Sequence, residues 1–169
     1  DTFAKGSKEQ TETLTKAVKL YDEINKKYRT RLAGMYAQLY KGRCQQKLGK
    51  HQDAIAAFND LLANPDAPEA FRTLKLKTME LAIPSWIALK QYPEVIDKGL
   101  SFIDSAAGNE DRTNEMMGMR VQAARAAKLW ADDIKKDKPK DPQIKKLLTE
   151  GRKLVTYASK FPSDYQEAA

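Results

Sequence analysis

Residues 38–65, QLYKGRCQQKLGKHQDAIAAFNDLLANP, limit the folds available to this chain more than any other stretch. Apolar residues recur at helical spacing on both sides of Gly49, and Asn64-Pro65 closes the second run. Glycine adopts the left-handed conformation that ends a helix, and proline cannot continue the helical hydrogen-bond ladder. Two amphipathic helices joined by so short a link must lie antiparallel and in contact. The stretch therefore predicts a helix hairpin, which must stack on a neighbour to bury its apolar stripes.

Helical periodicity continues on both sides of this hairpin. Ser7 followed by Gln10 is typical of a helix start, and Pro84 inside the fourth helical run predicts a kink or a break. We expect an all-α chain of about seven helices. The predicted organisation is a tail over 1–7, one domain over 8–162 and a tail over 163–169; the domain comprises a half hairpin over 8–31 and hairpins over 32–65, 69–104 and 112–161.

The second helices of these hairpins share one pattern. Two adjacent apolar residues are followed three residues later by a third position and, after three more, by another pair. Such a recurrence indicates an internal helical repeat. The copies are Ala17-Val18, Tyr21, Ile24-Asn25; Ala54-Ile55, Phe58, Leu61-Leu62; Val95-Ile96, Gly99, Phe102-Ile103; and Leu147-Leu148, Gly151, Leu154-Val155.

Residues 38–65 resemble a tetratricopeptide repeat (TPR) in Gly42, Leu48-Gly49, His51, Ala54-Ile55, Phe58, Leu61-Leu62 and Pro65. The resemblance implies a right-handed α-α superhelix of stacked helix hairpins. It also implies that Gly42 lets two helices touch while Phe58 fills a gap between hairpins. The chain departs from the family at Gln45, where an aromatic residue is usual, at Ile83-Pro84, and in an insertion at 131–142.

The resemblance implies a non-enzymatic scaffold that binds a partner protein or peptide in a concave groove lined by the first helices of successive hairpins. The residues at those positions are mostly basic or aromatic, which suits an extended or C-terminal acidic peptide. No asparagine falls among them, so the lysine–asparagine set with which some family members hold a C-terminal carboxylate is incomplete. The predicted groove residues are Tyr36, Leu39, Tyr40, Arg43, Lys47, Lys77, Glu80, Gln122, Arg125 and Lys128.

A second interpretation rests on charge. The chain carries a formal net charge of +7, and residues 135–153 contain eight basic and three acidic side chains. Such a run is typical either of a solvated surface or of a patch for nucleic acid or another polyanion. It lacks interleaved aromatic residues apart from Trp130, and helical spacing favours core packing for Trp86 and Trp130. The basic residues are Lys135, Lys136, Lys138, Lys140, Lys145, Lys146, Arg152 and Lys153.

Residues that suggest catalysis are few. Cys44 and His51 lie on opposite sides of a turn with no third group beside them, and a single histidine disfavours a zinc site. Neither Glu110-Asp111 nor Asp132-Asp133 directs both carboxylates to one helix face. Gly34, Gly42 and Gly49 lie in or at the end of helices, not in a phosphate-binding loop. We therefore expect no catalytic residue, no metal and no cofactor.

The sequence does not identify the cellular compartment of the protein. No apolar run approaches the roughly 18 residues that a membrane span requires. The single cysteine, Cys44, excludes an internal disulfide, which suits the cytoplasm and equally a disulfide-free periplasmic protein. A chain that starts at Asp1 is interpreted as a piece of a longer protein. The sequence predicts neither an oligomeric state nor a named partner.

Overall fold

The structure, a computed structural model, describes residues 6–64, 69–106 and 108–168. These residues form seven α-helices and two short 3₁₀ helices, with no β-strand among them. The prediction of an all-helical chain is therefore confirmed. The α-helices are α1 Lys8–Lys27, α2 Leu32–Lys47, α3 His51–Leu62, α4 Glu69–Ala88, α5 Tyr92–Asp104, α6 Asn114–Asp137 and α7 Pro142–Ala158; the 3₁₀ helices are Gly108–Arg112 and Gln166–Ala168.

The chain divides into two compact units, residues 1–85 (the N-terminal unit) and residues 86–169 (the C-terminal unit). The sequence predicts one domain whose third hairpin covers 69–104. The boundary between the units instead falls within α4, so that hairpin belongs partly to each unit. The TPR-like superhelix stays a prediction.

The N-terminal unit is built by packing α1 on α2 and α2 on α3. Gly42 of α2 faces the ring of Phe58 of α3, whose side chain is fully buried. A Cβ atom at position 42 would lie 2.5 Å from Phe58 Cε1, so any side chain there would push the helices apart. The link from α1 to α2 is equally tight, since Asn25 donates to the Gly34 carbonyl at 2.9 Å and a Cβ at position 34 would overlap the Tyr28 carbonyl.

The predicted helix ends are largely confirmed. The Ser7 hydroxyl accepts a hydrogen bond from the Gln10 amide at 3.1 Å, as expected of an N-cap. Gly49 has a φ of 72°, in the left-handed region that glycine favours. The predicted stop at Pro65 lies outside the described residues.

Helix α4 is continuous through Pro84, so the predicted break there is wrong, whereas the alternative of a kink stays a prediction. Pro84 is exposed, while its neighbours Ile83 and Ser85 are fully buried. The turn that follows contains Lys90 with a φ of 58°, a conformation that costs a residue with a Cβ roughly 1–2 kcal/mol.

The C-terminal unit packs α5 on α6 and α6 on α7. Alanines along α6 form much of the core of the C-terminal unit. Ala123 and Ala124 pack with Leu154, and Ala127 and Ala131 pack with Leu147. Short side chains on α6 let the neighbouring helices approach closely.

Residues 163–168, which belong to the tail predicted from the sequence, pack against the rest of the C-terminal unit. The ring of Tyr165 packs beside Gly118, Met117 and Ala158. The Asp164 amide donates to the Asn114 side-chain oxygen at 2.9 Å. The segment after α7 therefore folds back onto the start of α6.

Candidate functional site

An open groove of about 500 Å³ runs between α6 and α7 in the C-terminal unit. Residues three or four apart on each helix face it, because that spacing places side chains on one helical face. Helix α6 contributes a short apolar and basic row, and α7 contributes a mainly apolar one. The α6–α7 groove is lined by Val121, Gln122, Ala124, Arg125, Lys128, Leu147, Leu148, Gly151, Arg152, Val155 and Ala168.

Small residues set the depth of this groove. Gly151 lies so close to α6 that a Cβ there would be 3.4 Å from the Ala124 carbonyl oxygen. The larger side chains of Leu148 and Val155 stand beside this narrow point, and Leu148 is 46% exposed. An exposed leucine within a concave apolar surface is typical of a site that binds an apolar group of a partner.

Positive charge borders the apolar floor. Arg125 and Arg152 are exposed, and within the described residues neither guanidinium has a hydrogen-bond or ion-pair partner. Lys128 is also exposed but donates to Asp132 at 2.6 Å. Two free guanidinium groups therefore flank the groove, in a position to bind carboxylates.

A second depression, of about 580 Å³, adjoins the groove and shares Leu148 and Arg152 with it. We call it the basic hollow. Among the described residues that line it, the only carboxylate is that of Asp141, which accepts a hydrogen bond from the Gln143 amide at 2.8 Å and thereby caps α7. The basic hollow is lined by Pro139, Lys140, Asp141, Pro142, Ile144, Lys145, Leu148, Thr149 and Arg152.

The predicted groove residues fall in both units. Gln122, Arg125 and Lys128 line the α6–α7 groove. In the N-terminal unit, the rings of Tyr36 and Tyr40 stack with their centroids 6.4 Å apart. The shared concave face of a superhelix, which the sequence predicts for these residues, stays a prediction.

Other predicted groove residues on α2 and α4 differ in exposure. Arg43 and Lys47 are exposed. Lys77 donates to Glu80 at 2.6 Å, so these two side chains already neutralise each other. Leu39 is only 1% exposed and belongs to the core of the N-terminal unit. Its prediction as a groove residue is therefore wrong, because its spacing along α2 places it on the face that packs inward.

The predicted polyanion residues separate into groups. Lys136 donates to Asp133 at 2.6 Å, and Lys153 to Glu150 at 3.3 Å. Three of the eight, Lys140, Lys145 and Arg152, line the basic hollow. The other three, Lys135, Lys138 and Lys146, are exposed and line neither depression.

The residues weighed for catalysis have other partners. His51 Nδ1 lies 3.2 Å from the Ser85 hydroxyl, which also receives a hydrogen bond from Gln46 at 2.8 Å. Burial raises the pKa of the Cys44 thiol above its ordinary value, which favours the unreactive protonated form. Within the described part of the chain, no three His, Cys, Asp or Glu side chains form a group that could hold a metal ion.

The acidic pairs are likewise engaged in local contacts. Asp132 accepts from Lys128, and Asp133 accepts from Lys136 and pairs with Lys90 at 3.3 Å. The Tyr92 hydroxyl donates to Asp133 at 3.3 Å, and its pKa is raised by burial and by the Asp133 charge. These carboxylates act as ion-pair partners in the structure.

Sequence reasoning missed a charged cluster around Arg120, which is 4% exposed. Its guanidinium donates to the Asp111 carboxylate and, at 3.0 Å, to the Asp111 carbonyl, and it lies 4.3 Å from the centre of the Tyr157 ring. The Tyr157 hydroxyl also donates to Asp111. The one available signal is the position of Arg120 in the apolar run Met116–Val121, where a charge needs a buried partner.

Comparisons of this chain with protein-family models, with curated proteins and with solved structures give no match. No helix in the described part of the chain is long and apolar enough to cross a membrane.

Proposed function

We propose that this chain is a non-enzymatic protein-interaction module that binds an acidic, amphipathic segment of a partner protein in the α6–α7 groove. The observation that carries the proposal is the pairing of an apolar floor with two guanidinium groups that have no partner among the described residues. Side chains of this kind, in a concave surface, fit a ligand with apolar anchors and carboxylates.

Each part of the site has a distinct role in this proposal. Leu147, Leu148 and Val155 take the apolar side chains of the partner, and burial of apolar surface contributes about 25 cal/mol per Å² before the costs of association. Arg125 and Arg152 bind carboxylates of the partner through paired N–H donors. Charge selects the partner and fixes its register, while apolar burial supplies most of the affinity.

The resemblance to tetratricopeptide repeats supports the same class of function. The contact of Gly42 with Phe58 and the left-handed Gly49 occur where that resemblance implies a touching helix pair and its turn. We propose that the hairpins stack as a TPR-like scaffold. In that arrangement Tyr36, Tyr40 and Arg43 offer further contacts for an extended partner.

Selection from a displayed library of random twelve-residue peptides tests the proposal, since such a library covers many candidate partner sequences at once. We expect enrichment of peptides that combine leucine or phenylalanine with aspartate or glutamate. Their binding should fall at least about tenfold in the Arg125→Glu/Arg152→Glu variant, because like charges then face each other.

The control is Lys16→Glu/Lys19→Glu, which makes the same type of charge change at two exposed positions of α1. This variant should bind the selected peptides like the unchanged chain. Selection that enriches no class of peptide, or peptides that bind Arg125→Glu/Arg152→Glu as well as the control, would contradict the proposal.

A further inference from the structure

We propose that the basic hollow is a subsite for a phosphorylated side chain of the partner segment that lies in the α6–α7 groove. The inference rests on the proposed function and adds to it a regulated element, a partner whose affinity rises on phosphorylation. Three features carry the inference: continuity with the groove, a surplus of free cations, and a lining that suits a single anionic group.

The α6–α7 groove and the basic hollow are continuous because they share two side chains. Leu148 and Arg152 of α7 line both depressions, so a segment anchored on Leu148 reaches the basic hollow without leaving the surface. Lys145, Leu148 and Arg152 lie at helical spacing on one face of α7. The groove and the basic hollow therefore form one continuous binding surface.

The charges of the basic hollow favour a dianion. Within the described residues, the side-chain cations of Lys140, Lys145 and Arg152 have no hydrogen-bond or ion-pair partner, and Asp141 supplies the single opposing charge among the residues that line the hollow. The Asp141 carboxylate is held at the start of α7 by the Gln143 amide. A phosphoryl group carries about −1.5 to −2 at neutral pH, and a guanidinium binds two of its oxygens at once. A carboxylate carries a single negative charge and therefore gains less.

The lining fits a phosphorylated peptide better than nucleic acid. None of the described residues that line the basic hollow is aromatic, whereas binding of single strands relies on aromatic stacking. Lys136 and Lys153 are paired with acidic neighbours, and Lys135, Lys138 and Lys146 lie outside the hollow. Lys140, Lys145 and Arg152 thus gather at one depression, which suits a single anionic group.

The test uses a peptide obtained by selection on the full chain, synthesised with serine, aspartate or phosphoserine at the end that lies nearest Leu148. Fluorescence anisotropy should show the phosphoserine form binding about tenfold or more tightly than the serine form, with a smaller gain for aspartate. Lys140→Ala/Lys145→Ala should bring the ratio of phosphoserine-form to serine-form affinity close to one. Lys135→Ala/Lys138→Ala, which removes equal charge outside the hollow, should keep the gain.

Two results overturn the inference while the proposed function stands: a serine form that binds with no gain on phosphorylation, or a gain that survives Lys140→Ala/Lys145→Ala. The inference is also overturned if random-sequence single-stranded DNA binds more tightly than the phosphopeptide and if Lys135→Ala/Lys138→Ala weakens DNA binding as much as Lys140→Ala/Lys145→Ala does.

A titration with inorganic phosphate separates the two proposals if no peptide is selected. Backbone amide signals of Lys145 and Thr149, followed by NMR at constant ionic strength, should shift with phosphate and not with chloride. The shifts should vanish in Lys140→Ala/Lys145→Ala. Such shifts would support the subsite even where the proposed function has failed, and their absence would overturn the subsite.

Discussion

At the scale of single residues, the buried guanidinium of Arg120 is the most constrained charge among the residues that the structure describes. The Asp111 carboxylate and carbonyl accept its hydrogen bonds, and the Tyr157 ring covers it. Burial raises the pKa of Asp111, but the Tyr157 hydroxyl and the Arg120 guanidinium outweigh this effect and hold it below its usual value. A buried charge of this kind is tolerable only while its partner stays ionised.

Asp111→Asn should lower the free energy of unfolding by about 3 kcal/mol, because it leaves the Arg120 charge buried without a counter-charge. Tyr157→Phe removes one neutral hydroxyl donor and should cost only about 1 kcal/mol. Urea unfolding followed by circular dichroism measures both. Equal losses in the two variants would contradict the role given to the Asp111 charge.

The pH dependence of stability has a clear source in Asp22. Hydrogen bonds from Lys26 and Lys41 lower the pKa of Asp22 from 3.8 to about 2. A carboxyl group with a lowered folded-state pKa stabilises the fold above its unfolded pKa and loses that contribution as the pH falls. The stabilisation is therefore present above pH 4 to 5 and disappears toward pH 2.

Asp22→Asn should therefore cost on the order of 1 kcal/mol at neutral pH, since the carboxylate is partly exposed to solvent. The difference in unfolding free energy between this variant and the unchanged chain should shrink to near zero as the pH falls through the same interval. Asp97→Asn, at an exposed position, is the control and should show no such trend. A difference that stays constant with pH would contradict the assignment.

At the scale of helices, two glycines with similar sequence contexts play opposite parts. Gly42 is required, because a Cβ there would lie 2.5 Å from the Phe58 ring. Gly99 is different: a Cβ there would lie 3.7 Å from Ala123 Cβ, which is an ordinary packing distance. The structure therefore has room for alanine at position 99.

Gly42→Ala should destabilise the chain by about 1–3 kcal/mol through overpacking. Gly99→Ala should stabilise it by up to about 1 kcal/mol, because alanine has the higher helix propensity and the backbone is helical. Thermal unfolding of the two variants side by side makes each the control of the other. A destabilised Gly99→Ala would show that the space beside Ala123 is not available.

At the scale of the whole molecule, local features are predictable from the sequence and long-range ones are not. The helix bounds follow from periodicity and capping residues, as at Ser7 and Gly49, because these signals lie within a few residues of the structure they specify. The Arg120 cluster joins residues up to 46 positions apart, and the unit boundary after Ser85 lies next to Pro84, where the sequence predicts a kink or a break but the helix continues. The prediction for Leu39 fails for the same reason, since periodicity does not say which neighbour covers a helical face.

Part of the candidate site is likewise predictable from the sequence, and part depends on long-range packing. The family pattern, carried onto α6, predicts Gln122, Arg125 and Lys128, and they do lie together. The apolar half of the site, Leu148 and Val155, has the spacing of a buried helix face, so the sequence favours a core role for it. Which apolar residues remain uncovered depends on the packing of α7 against α6, and the sequence of α7 alone does not contain that information.

Methyl NMR with a selected acidic, amphipathic peptide tests whether the peptide binds in the α6–α7 groove. We expect addition of the peptide to shift the methyl signals of the apolar residues that line the α6–α7 groove, namely Val121, Leu147, Leu148 and Val155. Leu20, an exposed leucine on α1, should not move. In Arg125→Glu/Arg152→Glu the groove shifts should disappear at the same peptide concentration. Shifts confined to the N-terminal unit, or groove shifts that persist in this variant, would contradict the claim.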